Sequence, residues 1–294
     1  MNESSKLHGL ESEPPQRLQQ IREDGTIGLA GARSAEDVRV SLQGIQTELV
    51  RSLPQKTRNA LSAEARRDFE DDLLWALRSE HLLRFRRVEP KKQPGEVDFE
   101  RHAATHPHAN GEWGNQIVIW SGVVNRTRAC IDLGFKTAGT RNFDLYELKL
   151  NKEAGEQNAA LAELASYVVG YRIARHLATE WRKIDQSALG VSSMRTARWP
   201  KSHLLRHEKG DFEAAESIEW TLLAPASYFD SNSAACDHRK TLIAGFRDWL
   251  VDSSVPFHIP NCVETISIKK LEFTADWKQR PELAGHFVRA AKPV

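Results

Sequence analysis

Three strand-like runs follow one another closely at residues 116–124, 128–136 and 143–150, and from about residue 154 to 182 the apolar period becomes helical. The breaks between the runs, Asn125-Arg126-Thr127 and Ala138-Gly139-Thr140-Arg141-Asn142, have turn composition, which predicts an antiparallel meander. In the helical stretch Ala160, Leu161, Leu164, Tyr167, Val168 and Tyr171 mark one long apolar face. Upstream, residues 62–84 form a clear amphipathic pattern. Ser62 is placed to cap it, and Phe69, Leu73, Ala76, Leu77 and Leu83 recur at helical spacing. Helix, three strands and helix, in that order, predict an α/β fold with a mixed central β-sheet flanked by helices.

The remaining chain elaborates this plan. Residues 1–35 are polar, contain Pro14 and Pro15, and read as a flexible tail. Residues 35–61 suit one or two short helices, with Val38, Val40, Leu42, Ile45 and Leu49 favouring one side. Residues 89–114, rich in Pro, Gly and charge, read as a long connection, and residues 187–216 as an insertion or loop. A strand at 218–224, a helix at 239–250 and a last strand at 263–273 complete the expectation. No linker separates two cores after residue 36. We therefore expect one domain over 36–294, with its core at about 62–224 and a C-terminal elaboration at 225–294.

Charge narrows the function. The 294 residues carry 41 basic and 40 acidic side chains, a net charge of +1, which excludes a uniformly basic nucleic-acid arm and an acidic disordered chain. Any nucleic-acid site must be a local patch. The three cysteines are odd in number and far apart, so they form no disulfide framework. A reducing, cytoplasmic setting is expected. The first twenty residues lack a signal-peptide apolar run, and no stretch is apolar enough to span a membrane.

The chemistry concentrates in the meander. Side chains alternate along a strand, so Glu147 and Lys149 point the same way with Leu148 turned from them. Asp132 lies between Ile131 and Leu133, where burying a carboxylate is costly unless it is paired or bound to a cation. If the hairpin turns near Gly139 and Thr140, Asp132 comes close to Glu147, and the two acids ask for a divalent ion. The bland alternatives are a pairing of Asp132 with Lys136 or Arg128 and a surface pair of Glu147 with Lys149. Asp144 falls on the opposite strand face.

Asp132, a hairpin and then Glu147-Leu148-Lys149 resemble the core signature of the PD-(D/E)XK nuclease superfamily. Glu163-Leu164-Ala165-Ser166-Tyr167 on the following helix resembles the Q-L-x-x-Y element of several of its branches, with Glu163 in place of Gln. Ile131 stands where the motif has Pro. The likeness is close over 128–175 and looser over 62–84 and 116–124. It implies a restriction-endonuclease-like core and Mg²⁺-dependent phosphodiester hydrolysis, with Mn²⁺ as a substitute. Asp132, Glu147 and the Leu148 carbonyl would hold the ion, and Lys149 would hold or help deprotonate water and offset developing charge. The first helix would add an acid, Glu70, with Glu80 in reserve. Gln157 or Glu163 would orient water or ligands, and Tyr167 would support the site.

DNA is the expected substrate, with RNA as the alternative, in a restriction or defence nuclease that acts as a homodimer. The rival readings are an inactive nuclease-like binding or scaffold protein, a repair or RNA-processing nuclease with the same site, and an unrelated α/β protein. Arg195, Arg198, Lys201 and Arg206, interleaved with Trp199, suit phosphate contact and base stacking. His102, His106 and His108 lack a partner spacing that would make them a zinc site. There is no phosphate-binding P-loop, no serine-hydrolase elbow and no dinucleotide fingerprint.

Overall fold

The computed structural model describes residues 23–51, 58, 95–120, 129–150, 157–183, 215–229, 233–272 and 280–294. Strands β1 (Gly111–Trp120), β2 (Ala129–Thr137) and β3 (Asn142–Leu148) form the expected antiparallel meander. Gly139, at φ +70°, sits in the turn after β2, where a left-handed backbone suits glycine. Helices α1 over residues 23–31, α2 (Ala35–Arg51) and α3 (Glu96–Thr105) lie before the meander. Helix α4 (Gln157–Lys183) then leads to β4 (Ser217–Pro225), parallel to β3, and α5 (Ser233–Val251) leads to β5 (Val263–Leu271), parallel to β4. Parallel neighbours need long crossovers, and each crossover here contains a helix. A short helix α6 (Ala284–Arg289) and the two-residue β6 (Lys292–Pro293), antiparallel to β5, close the chain.

The result is a six-stranded mixed sheet in which the strands lie side by side in sequence order, with helices on both faces. One face carries the larger core, where α1, α2, α4 and α5 bring Leu29, Leu42, Leu164, Val168 and Trp249 against Leu145, Trp220 and Ile266. The other face is covered by α3 and α6, whose Phe99, Ala103 and Val288 join Trp113, Leu133, Tyr146, Leu148 and Leu223. Covered on both sides, β4 is buried continuously from Trp220 to Ala224 and loses the alternation of a half-exposed strand.

Several expectations are corrected. The polar tail does not extend to residue 35, because residues 23–31 are helical and Leu29 and Ala32 are core residues. Residues 35–51 are one helix. Ser34 starts it: the Ser34 hydroxyl accepts the Asp37 N–H at 3.2 Å, and the Asp37 carboxylate accepts the Ser34 N–H at 2.9 Å, a capping box. Val38, Leu42, Ile45 and Leu49 are buried, but Val40 is 57 % exposed and off the core face. The long connection at 89–114 contains α3, and β1 begins at Gly111, five residues before the expected start. The 62–84 helix lies outside the described residues. No helix among the described residues is long and apolar enough to cross a membrane.

Helices α2 and α5 touch closely at Gly245. A Cβ there would lie 2.8 Å from the Val38 Cβ and 3.0 Å from the Ala35 Cα. Alanine's better helix propensity is worth about 1 kcal/mol, while overpacking costs about 1–3 kcal/mol. Gly245→Ala is therefore expected to lower the urea midpoint despite being the better helix former. An unchanged or raised midpoint would show that α2 yields freely.

Candidate active site

The β2–β3 ladder runs from Lys136↔Phe143 to Leu133↔Tyr146, so Asp132 and Glu147 come next on adjacent strands. There a side chain takes over from the ladder: Asp132 Oδ2 accepts the Leu148 N–H at 2.8 Å. On the far side of β3, Leu148 is in register with Leu223 of β4, and the Lys149 N–H donates to the Leu223 carbonyl at 2.9 Å. The acidic end of β3 is thus held by both neighbouring strands. Tyr146 and Leu148 point into the core under α3 and α6, and alternation turns Glu147 to the opposite face, where α4 lies.

On that face Lys149 Nζ donates to Glu147 Oε1 at 2.6 Å and to Glu163 Oε2 at 3.0 Å. Glu163 is on α4, and its other oxygen accepts the Tyr167 hydroxyl one helical turn further on, at 2.8 Å. Asp132, Glu147, Lys149, Glu163 and Tyr167 therefore lie in one cluster. Glu147 is only 2 % exposed, and its Oε2 is buried with no hydrogen-bond partner.

Two carboxylates contact the ammonium and a third, Asp132, acts on it through its charge, and their ionisation reflects this. Burial pushes Asp132 up to about 7, with Glu96 and Glu163 adding to the rise while Lys149 and the Leu148 N–H oppose it. Burial raises Glu147 well above the usual carboxylate range, and the Asp132 carboxylate raises it further. For Lys149, burial acts to lower the value, but Glu147, Glu163 and Asp132 outweigh it and hold the ammonium protonated. Without a metal, Asp132 keeps its proton to about pH 7, whereas an unfolded aspartate loses it near 3.8. Stability should therefore fall by roughly 2–4 kcal/mol as pH rises from about 4 through about 7. Glu147 extends the loss upward. Thermal melts in chelator at about pH 5 and about pH 8 check this, the melt at higher pH being the less stable. The opposite order in chelator would contradict the assignment.

No group of three or more His, Cys, Asp or Glu side chains among the described residues is arranged to hold a metal. The available donors are two carboxylates and the Leu148 carbonyl. These oxygens suit a hard cation that keeps most of its waters, and the partnerless Glu147 oxygen fits such a ligand.

The sequence reading missed Glu96. It lies in the first turn of α3, its Oε2 accepts the Leu150 N–H at 2.7 Å, and its charge reaches Asp132. The signal was present: Gly95 precedes Glu96 and Asp98, and Phe99, Ala103 and Ala104 follow at helical spacing. Gln157 makes its hydrogen bonds away from the carboxylates. It ties the start of α4 to the exit of β4 and to α5, donating to the Tyr228 carbonyl at 2.9 Å and accepting from Arg239 at 3.0 Å.

Glu70, Glu80, Arg195, Arg198, Lys201 and Arg206 lie outside the described residues. Asp144 is on the other face, where it pairs with Arg289 at 2.6 Å. The three histidines have separate neighbours: His102 lies 3.6 Å from Asp98, His106 contacts the Glu282 carbonyl, and His108 packs on Phe135. Comparison with known proteins gave no matching family model, no matching curated protein and no matching solved structure.

Proposed function

We propose that this chain is a metal-dependent nuclease that hydrolyses phosphodiester bonds, with DNA as its substrate. The observation that carries the reading is Glu147 Oε2, a buried carboxylate oxygen with no hydrogen-bond partner, beside Asp132 and a lysine locked in its charged form. The order α3, β1, β2, β3, α4, β4, with an acid on β2 and Glu-x-Lys at the end of β3, supports a restriction-endonuclease-like core.

Asp132, Glu147 and the Leu148 carbonyl would hold Mg²⁺ or Mn²⁺. Bound there, the ion would polarise a phosphate oxygen, lower the pKa of a water and stabilise the leaving oxyanion. The chain's own contribution begins with Lys149. In the metal-free chain its carboxylate neighbours favour the ammonium form, and beside the ion it would hold the attacking water and offset the charge developing on the phosphorane. Glu96 holds the chain just beyond β3 through the Leu150 N–H. Arg195, Arg198, Lys201 and Arg206 would contact the phosphate backbone, giving binding that weakens as salt rises. A homodimer would supply one site for each strand, and a cytoplasmic restriction or defence role fits such an activity.

The test is cleavage of circular, linear and single-stranded DNA and of RNA in Mg²⁺, Mn²⁺ or chelator, beside Lys149→Ala and Asp132→Ala. Metal-dependent nicking of plasmid, lost in both variants, is expected. Equal cleavage by wild type and variants would remove the catalytic assignment, and preferential cleavage of RNA would move the substrate.

A further inference from the structure

Lys149 is held by two carboxylates, and only one of them is a candidate ligand of the ion. Its ammonium lies 2.6 Å from Glu147 Oε1 and 3.0 Å from Glu163 Oε2. A cation that draws on Glu147 competes with the ammonium for the same carboxylate. Glu163 is kept on the lysine by its own geometry, because its second oxygen accepts the Tyr167 hydroxyl at 2.8 Å, which fixes the carboxylate along α4.

We propose that Glu163, braced by Tyr167, is a positioning residue that retains the Lys149 ammonium when a divalent cation takes over Glu147. This rests on the metal-dependent reading above. Lys149 then moves between two anchors and never becomes an unpaired charge in a part-buried site, which would be costly. With Glu163 present, the ion displaces an ammonium that has somewhere to remain. Without it, Lys149 has only Glu147 and resists displacement, so the ion binds more weakly. Glu163 thus acts through Lys149 and not as a ligand.

The two roles separate in a double-mutant cycle on metal binding, with no nucleic acid present. Mn²⁺ is titrated calorimetrically into the full chain as wild type, Glu163→Ala, Lys149→Met and the double variant. Glu163→Ala should weaken Mn²⁺ binding about five- to tenfold when Lys149 is present and less than about twofold when it is replaced. Glu163→Gln, which keeps acceptor and donor atoms in place, should recover part of the loss and serves if the alanine variant does not fold. An equal loss in both backgrounds would mean that Glu163 acts on the ion directly, and would overturn the proposal. No loss in either background would overturn it too. Absence of Mn²⁺ binding by the wild type is a different failure, because it removes the metal reading itself.

Discussion

Asp132→Asn is expected to lower Mg²⁺-dependent cleavage by about a thousandfold or more, while raising the melting temperature of the metal-free protein by roughly 2–6 °C. The two effects have one cause. Asp132 is placed where burial and the carboxylates of Glu96 and Glu163 disfavour its charge, a cost a bound cation would offset and an empty site does not. Asparagine keeps an oxygen for the Leu148 N–H, which Asp132 accepts at 2.8 Å, so the strand end should stay in place while the charge is removed. Melting in chelator above neutral pH reads the gain, and plasmid nicking reads the loss. If Asp132→Asn melted below wild type in chelator, the carboxylate would be serving the fold and not an ion. Stability surrendered at a site for the sake of its chemistry is a common pattern.

The second large effect lies far from that chemistry. Arg172 on α4 is 1 % exposed and donates through Nε to Glu264 of β5 at 2.8 Å and through Nη2 to the Leu250 carbonyl near the end of α5 at 2.7 Å. Glu264 also accepts the Trp220 indole N–H at 3.1 Å, and the guanidinium lies 4.5 Å from the Trp249 ring. Four elements, α4, α5, β4 and β5, thus meet on one buried ion pair. Glu264→Ala leaves the guanidinium without its carboxylate in the core and should cost about 3–5 kcal/mol. Replacing both residues, as Arg172→Met with Glu264→Leu, should cost clearly less, because no charge remains buried. Urea unfolding of the single and double variants measures the difference. A single variant within about 1 kcal/mol of wild type would mean that water reaches the pair.

Why some features were legible in the sequence follows from how they are built. Asp132, Glu147 and Lys149 sit on one hairpin, and strand alternation plus a short turn is enough to bring them together. Glu163 and Tyr167 follow from helical spacing on the next element. Glu96 was hidden because its short helix is set among Pro, Gly and charged residues, and because its nearness to Asp132 depends on how α3 packs across the sheet. Helix α1 was hidden for a related reason: Leu29 and Ala32 give too few apolar positions for a period to emerge, and their burial comes from neighbouring elements. The C-terminal α6 and β6 are too short to carry a pattern. Their places are fixed by contacts made elsewhere, such as Arg289 with Asp144 and Lys292 with Glu272.

Strand β3 has an antiparallel neighbour on one side and a parallel one on the other, and the two reach it at different times. Its partner β2 is five residues away across a turn, whereas β4 must be delivered by a crossover of nearly seventy residues. Contacts so distant along the chain form late. A ribosome that has released the hairpin has therefore produced the acids and the lysine but not the strand that secures them, since the Lys149 N–H waits for the Leu223 carbonyl. Under the proposed nuclease reading, competence to cut should then be withheld from the growing polypeptide until residues beyond 225 have emerged, a delay set by topology and independent of any inhibitor.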